Sequence, residues 1–203
     1  MAHLRSNART AACIASGDQT RHMVPMREQP DAVARNDGSG GLKMLCHPET
    51  AWLGAFYNCK RVELLRCPWQ VGQVLWLREP ARVLDVRGRS ALSREVLVEW
   101  PSNGLRAWRQ WPARLGRDPI KDRGISNGCL REFARYGCEV KSVGAQRFKE
   151  ITIQEATQEG VTREQHTNGP REPIYALQAL LESIYGEPLP EWWWWCAFET
   201  RRI

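Results

Sequence analysis

Apolar and polar positions alternate with period two in several short runs, and a helical period appears in only a few segments, so strands should outnumber helices. Residues 71–77, VGQVLWL, alternate and are rich in branched side chains, which predicts a strand ending at Arg78-Glu79-Pro80. A second strand is expected at 96–100, VLVEW, where Asn103-Gly104 turns the chain back into 105–111 as a hairpin. Residues 138–143 and 146–151 also read as extended. The run Trp192 to Phe198 is apolar and bounded by Pro190 and Arg201, which predicts a closing strand.

Helical signals are fewer and carry their own punctuation. Ser6 can cap a short helix over 6–16 that Gly17 ends. Thr152-Ile153-Gln154-Glu155 is a capping box opening a short helix that stops at Gly160. Pro173 to Tyr185 is the clearest helix, with Ile174, Leu177, Leu181 and Ile184 on one face and Gly186 as its stop. Between these elements, 25–50 and 112–128 are rich in turn residues, including Asn36 to Gly41, and predict loops. The order carries no βαβ rhythm, so the expected class is α+β around a small barrel.

A chain of 203 residues predicts one domain over 1–203. The apolar fraction of 42% and the charged fraction of 26% exclude a fibre, a disulfide miniprotein and a wholly disordered chain. No apolar run is long enough to span a membrane, and the N-terminus lacks an apolar signal core, which predicts a cytoplasmic protein with no membrane partner. Seven cysteines form no CxxC pair, and Cys46-His47, Cys59 and Cys67 match no common zinc spacing. They read as reduced, mostly buried thiols, and neither a metal nor a cofactor is expected.

Charge and tryptophan change the picture. The net charge is +6, and 24 of the 29 basic side chains are arginine. Residues 101–150 carry 11 basic against 5 acidic groups, whereas 151–203 carry 4 against 8. A basic middle predicts a polyanionic partner. Within it, Arg106, Trp108, Arg109 and Trp111 interleave cations with indoles, a pattern that can neutralise phosphates and stack on bases. The other reading of that hairpin buries Trp108 and Trp111 on one face and solvates the arginines. Trp192 to Trp195 raise the same choice. A strand sends alternate side chains to opposite faces, so at most two of the four enter one core, and the others need a cover or a ligand.

Walker, nucleophile-elbow, Rossmann and zinc-protease signatures are absent. Five segments, in order, instead resemble phage and prophage ASCH-domain proteins of the PUA-like superfamily. Ile14 to Arg21, IASGDQTR, looks like a shortened form of the family's "ILEGRKTQTRR" turn. Cys67 to Glu79, CPWQVGQVLWLRE, is similar to its "CPY…GD.LWVRE" strand. Leu130 to Tyr136 resembles "PRW.SRI", and Phe148 to Val161 resembles "L.DI…EDA..EG". Leu180 to Gly186, followed by Trp192 to Glu199, resembles "LW.SIYG…NPWVWVIEF". Two inserts, 25–66 and 80–128, lie outside most of the resemblance.

The resemblance implies a small PUA-like barrel with flanking helices, and a protein that binds RNA, another nucleic acid or a modified nucleotide. Some small members of the family hydrolyse acylated cytidine with a lysine, a threonine and a glutamate. Thr20 and Glu159 match the last two, and the lysine has no counterpart. Without that base, threonine lacks its activator, and Arg21 cannot act as a base at neutral pH. The expectation is therefore binding rather than turnover. Arg21, Arg78, Arg131 and Arg135 would hold phosphate or carboxylate, and Thr20 and Glu159 would read a base edge. The alternatives are a nucleoside amidohydrolase or ribonuclease using Thr20 and Glu159, and a phage-encoded effector that binds a host protein.

Overall fold

The structure is a computed structural model that describes residues 3–5, 7–27, 29, 32–33, 45–47, 50–57, 61–90, 93–115, 118–125, 130–161 and 173–203. In chain order the elements are β1 (His3–Arg5), α1 (Ala8–Ser16), β2 (Arg21–Pro25), β3 (Ala32–Val33), β4 (Leu45–His47), β5 (Thr50–Tyr57) and β6 (Arg61–Arg66). They continue with β7 (Val74–Arg78), β8 (Ala81–Arg87), β9 (Glu95–Trp100), β10 (Leu105–Gln110), β11 (Gly124–Ile125) and β12 (Tyr136–Arg147). The chain closes with α2 (Ile153–Gln158), α3 (Pro173–Tyr185) and β13 (Trp192–Arg202). The class is mixed α+β, and among the described residues the strand orders are open. No described helix is long and apolar enough to cross a membrane.

The chain divides into two compact units, each drawn from separated stretches. Unit 1 comprises Met1–Gly17, Val74–Cys138 and Thr200–Ile203, and unit 2 comprises Asp18–Gln73 and Glu139–Glu199. In unit 1, β1 pairs with β7 in parallel. A second sheet has the order β10-β9-β8-β11, with antiparallel pairs throughout. Its inner face buries Ala81, Val83, Val96, Val98, Trp100, Trp111 and Phe133 as one cluster. The alternation read from sequence sets this packing, because Val96, Val98 and Trp100 share one face of β9.

Unit 2 holds β2 antiparallel to β13, with β12 on the other side of β13. A separate sheet joins β5 to β3, β4 and β6. Met23, Ile151, Ala156, Val161, Leu177, Leu181 and Trp193 form a core in which α2 and α3 pack together.

Several sequence expectations need correction. The expected loop 25–50 contains β3 and β4, and short two- and three-residue strands leave too little alternation to be read. The tract Asn36 to Gly41 lies outside the described residues. The cap of α1 is Asn7, whose side chain accepts from the Thr10 N–H at 2.8 Å, while Ser6 lies outside the described residues. The strand expected at 71–77 starts at Val74, because Gly72 turns at φ +80° and donates to the Val140 carbonyl. The two extended runs at 138–143 and 146–151 are one strand, β12, followed by a 3-10 turn at Phe148–Glu150. On α3, Leu177 and Leu181 are buried but Ile184, in the final turn, is exposed.

The tryptophan run is covered on both faces, as alternation requires when more than two of its indoles are buried. Trp192, Trp193 and Trp194 are all buried and Trp195 is half-buried, because both faces of β13 are covered. Trp193 joins the helical core, and the Arg147 guanidinium lies 4.8 Å from the Trp192 ring on the opposite face.

Candidate functional site

The residues expected to form one site fall into both units: Thr20, Arg21 and Glu159 in unit 2, and Arg78, Arg106, Trp108, Arg109, Trp111, Arg131 and Arg135 in unit 1.

In unit 2 the turn after α1 brings the first three together. Gln19 bridges Glu159 in antiparallel fashion, the Thr20 N–H donates to the Gln158 carbonyl, and the Phe198 N–H donates to the Thr20 carbonyl. Arg21 and Met23 point to the same buried face of β2. The Arg21 guanidinium is therefore inside the fold and must be neutralised there. Its Nη1 donates to Glu155 Oε1 at 2.6 Å, and its Nε is 3.4 Å from Glu159 Oε1. Its Cζ lies 4.5 Å from the centre of the Trp195 ring. Among the described residues, Arg21 Nε and Nη2 and Glu159 Oε1 have no hydrogen-bond partner.

The two carboxylates differ sharply in their chemistry. Burial pushes the Glu159 carboxyl up to about 8 against the pull of Arg21 and the Met23 N–H, so it holds its proton at neutral pH. For Glu155, burial is outweighed by the Thr152 N–H, the Arg21 hydrogen bond and the Thr152 hydroxyl, which hold it below the usual carboxylate range. Glu155 closes the capping box predicted from sequence, accepting from the Thr152 N–H at 2.8 Å. Its second role as the ion-pair partner of Arg21 was not legible in that motif.

Gly144 explains how Trp195 reaches the guanidinium. A Cβ at this position would stand 2.5 Å from the indole Cζ2. Gly144→Ala is expected to displace Trp195 and to cost about 1–3 kcal/mol of stability, read by denaturant unfolding. An unchanged midpoint would remove the close approach from the account.

Among the described residues of unit 1, Arg135 and Glu79 form a buried polar cluster. Arg135 Nε and Nη2 donate to the two Glu79 carboxylate oxygens at 3.0 and 2.5 Å, while Nη1 reaches Asn103 and Nη2 also reaches Ser102. Trp100 and Tyr136 flank the guanidinium at 4.7 and 5.3 Å. Arg135 was expected to hold a ligand anion, but Glu79 takes both arms of its fork. Glu79 itself was missed, although Leu75, Leu77 and Glu79 lie at alternate positions and all are buried.

The hairpin cations also differ from expectation. On the outer face of the β8–β9–β10 sheet, Glu99 lies between Arg82 at 3.3 Å and Arg106 at 2.8 Å. Glu95 accepts from Arg87, whose guanidinium stacks 4.1 Å from the Trp108 ring. Arg106 is therefore engaged within the sheet by Glu99 opposite it, and Trp108, opposite Leu97, is covered by Arg87. Arg109 lies 5.5 Å from the Trp100 ring, and Arg78 lies 5.6 Å from Trp76. Arg131 is exposed in a 3-10 turn. Trp111 is buried against Phe133, with ring centres 6.0 Å apart.

The charge separates by unit more sharply than by sequence segment. Unit 1 carries 17 basic and 7 acidic side chains, and unit 2 carries 12 and 16, giving +10 and −4. Six of the seven unit 1 carboxylates already pair with a cation: Glu79, Asp85, Glu95, Glu99, Asp118 and Glu132. The exposed Arg89, Arg123 and Arg202 have no carboxylate partner among the described residues.

Among the described residues, Cys13, Cys67, Cys138 and Cys196 stand in no disulfide and no cluster of metal-ligand type occurs. The side chains of Cys46, His47, Cys59 and Cys129, and His166, lie outside the described residues. Burial holds His22 down at about 4, and its ring meets Trp69 edge-on at 5.9 Å.

Searches against family models, curated proteins and solved structures find no match to this chain.

Proposed function

We propose that this chain is an ASCH-like protein of PUA-like type that binds nucleic acid, RNA in the first place, and that unit 1 makes the phosphate contacts. The observation that carries the reading is the partition of charge, +10 on unit 1 against −4 on unit 2. A surplus left after most carboxylates are paired attracts a polyanion, and exchange of its counterions makes the affinity depend on salt. The order of the five sequence motifs is the second support, and it is the one that points to RNA or a modified nucleotide. The expected contacts move from Arg135 and Arg106, which are spent on Glu79 and Glu99, to exposed arginines such as Arg89 and Arg202.

The test is a titration of a labelled single-stranded RNA 12-mer with the double variant Arg89→Glu, Arg202→Glu. Binding is expected to weaken, and the slope of log affinity against log salt to flatten by about 1.4 if each arginine neutralises one phosphate. Equal affinity and slope in the two proteins would remove these residues from the interface.

One observation favours the hydrolase as a second reading. Glu159 carries a proton at neutral pH and stands beside Arg21, as a general acid would. Turnover of acylated cytidine, abolished by Glu159→Gln, would establish that activity.

A further inference from the structure

We propose that the half-open pocket lined by Val83, Trp111, Ile120, Arg123 and Ile125 in unit 1 takes one unstacked base of a single-stranded polynucleotide. This rests on the nucleic-acid reading and adds to it a site where a base, rather than the backbone, is held. The pocket is built in the segment 112–128 that the sequence marks as loop, and it follows from how the short strand β11 pairs with β8. Gly124 pairs with Arg82 and Ile125 with Ala81. That pairing lays Ile125 beside Val83, with the indole of Trp111 as a wall.

Size and chemistry both select a small planar ligand. The cavity is about 80 Å³, room for roughly five to eight waters. That matches a single pyrimidine ring better than a larger group. Val83, Ile120 and Ile125 give apolar contact, and the part of the Trp111 indole not buried against Phe133 meets the pocket. At the rim, Arg123 is exposed and has no carboxylate partner among the described residues. A base in the pocket would leave its phosphate within the field of that guanidinium. The remaining charged lining residue, Asp118, is already neutralised by Arg94 and does not repel an incoming phosphate. An apolar peptide side chain would gain nothing from Arg123 or from the +10 charge of this unit, whereas a nucleotide uses both.

Trp111→Leu removes the indole and keeps an apolar side chain, and a thermal midpoint above the titration temperature shows that it is folded. Ile120→Ala, at an exposed lining position, is the second variant should the first not fold. The probes are a labelled U12 RNA and an inorganic polyphosphate of similar length, titrated against the native protein and the folded variant. Loss of a base stack predicts that U12 binding falls roughly 5- to 150-fold, with polyphosphate binding unchanged. If U12 and polyphosphate bind the variant as tightly as the native protein, the pocket is not a base site and the nucleic-acid reading stands. Equal losses for both probes also overturn the base site, because polyphosphate has no base to lose. If the native protein binds neither probe, the nucleic-acid reading fails, and the pocket proposal with it.

Discussion

Glu79→Ala is expected to lower the stability of unit 1 by about 3–5 kcal/mol, because it leaves the Arg135 guanidinium buried without its counter-charge. Glu79 is fully buried and Arg135 nearly so, and both carboxylate oxygens accept from the guanidinium. Ser102 and Asn103 occupy other donors of the fork, and Ser102 also donates to Glu79. Removing one partner therefore orphans a cation in a site flanked by Trp100 and Tyr136, where water cannot replace the lost charge. Replacing both partners together, Glu79→Met with Arg135→Met, is expected to cost much less, since no charge is left buried. Urea unfolding of the three proteins reads the difference. A loss under 1 kcal/mol for Glu79→Ala would show that the pair is hydrated rather than buried.

The second large effect is a pH dependence centred on Glu159. Its carboxyl is ordinary in the unfolded chain and is raised by burial to about 8 in the fold. Between about 4.5 and 8 the folded state binds a proton that the unfolded state has released, so stability falls as pH rises through that window. The loss is on the order of 5 kcal/mol once Glu159 ionises, and it is absent below the lower value. Glu155, shifted in the opposite direction, contributes stability at neutral pH that is lost on acidification. Glu159→Gln keeps the shape and removes the proton. Its unfolding midpoint is expected to stay nearly flat from pH 5 to 9, while that of the native protein declines. Parallel curves for the two proteins would mean that Glu159 is solvated and ionised like a surface glutamate.

How much of this was legible depends on whether a feature is written locally. The capping box at Thr152, the hairpin at Asn103-Gly104, the helix Pro173–Tyr185 and its stop at Gly186 were all readable, because each is set by residues within one turn of one another. No local pattern links the 19–21 turn to Glu159, which meets it through the Gln19 bridge and lies 3.4 Å from Arg21. What the sequence concealed is the pairing of charges across the fold. Arg135 and Glu79 are 56 positions apart, and Arg21 and Glu155 are 134 apart, so no periodicity links them. A signal was nevertheless present. A charged residue in register with buried apolar neighbours, as Glu79 is with Leu75 and Leu77 or Arg21 with Met23, announces a buried charge that needs a partner. That reading points to a buried ion pair between Glu79 and Arg135. The same concealment holds at Arg106 and Trp108, where the interleaved pattern reads as a surface that neutralises phosphates and stacks on bases. The strand opposite them supplies Glu95 and Glu99, which only the register reveals.

The charge partition carries the functional reading, and salt tests it most directly. Binding of a labelled single-stranded RNA 12-mer to the whole protein should be measured across 50–300 mM salt, over which the Debye length falls from about 14 to about 6 Å and counterion release is resolved. If Arg89, Arg123 and Arg202 each neutralise one phosphate, log affinity falls against log salt with a slope of about −2 or steeper. A slope near zero, or no binding at the lowest salt, would contradict the proposal that unit 1 is a polyanion-binding surface.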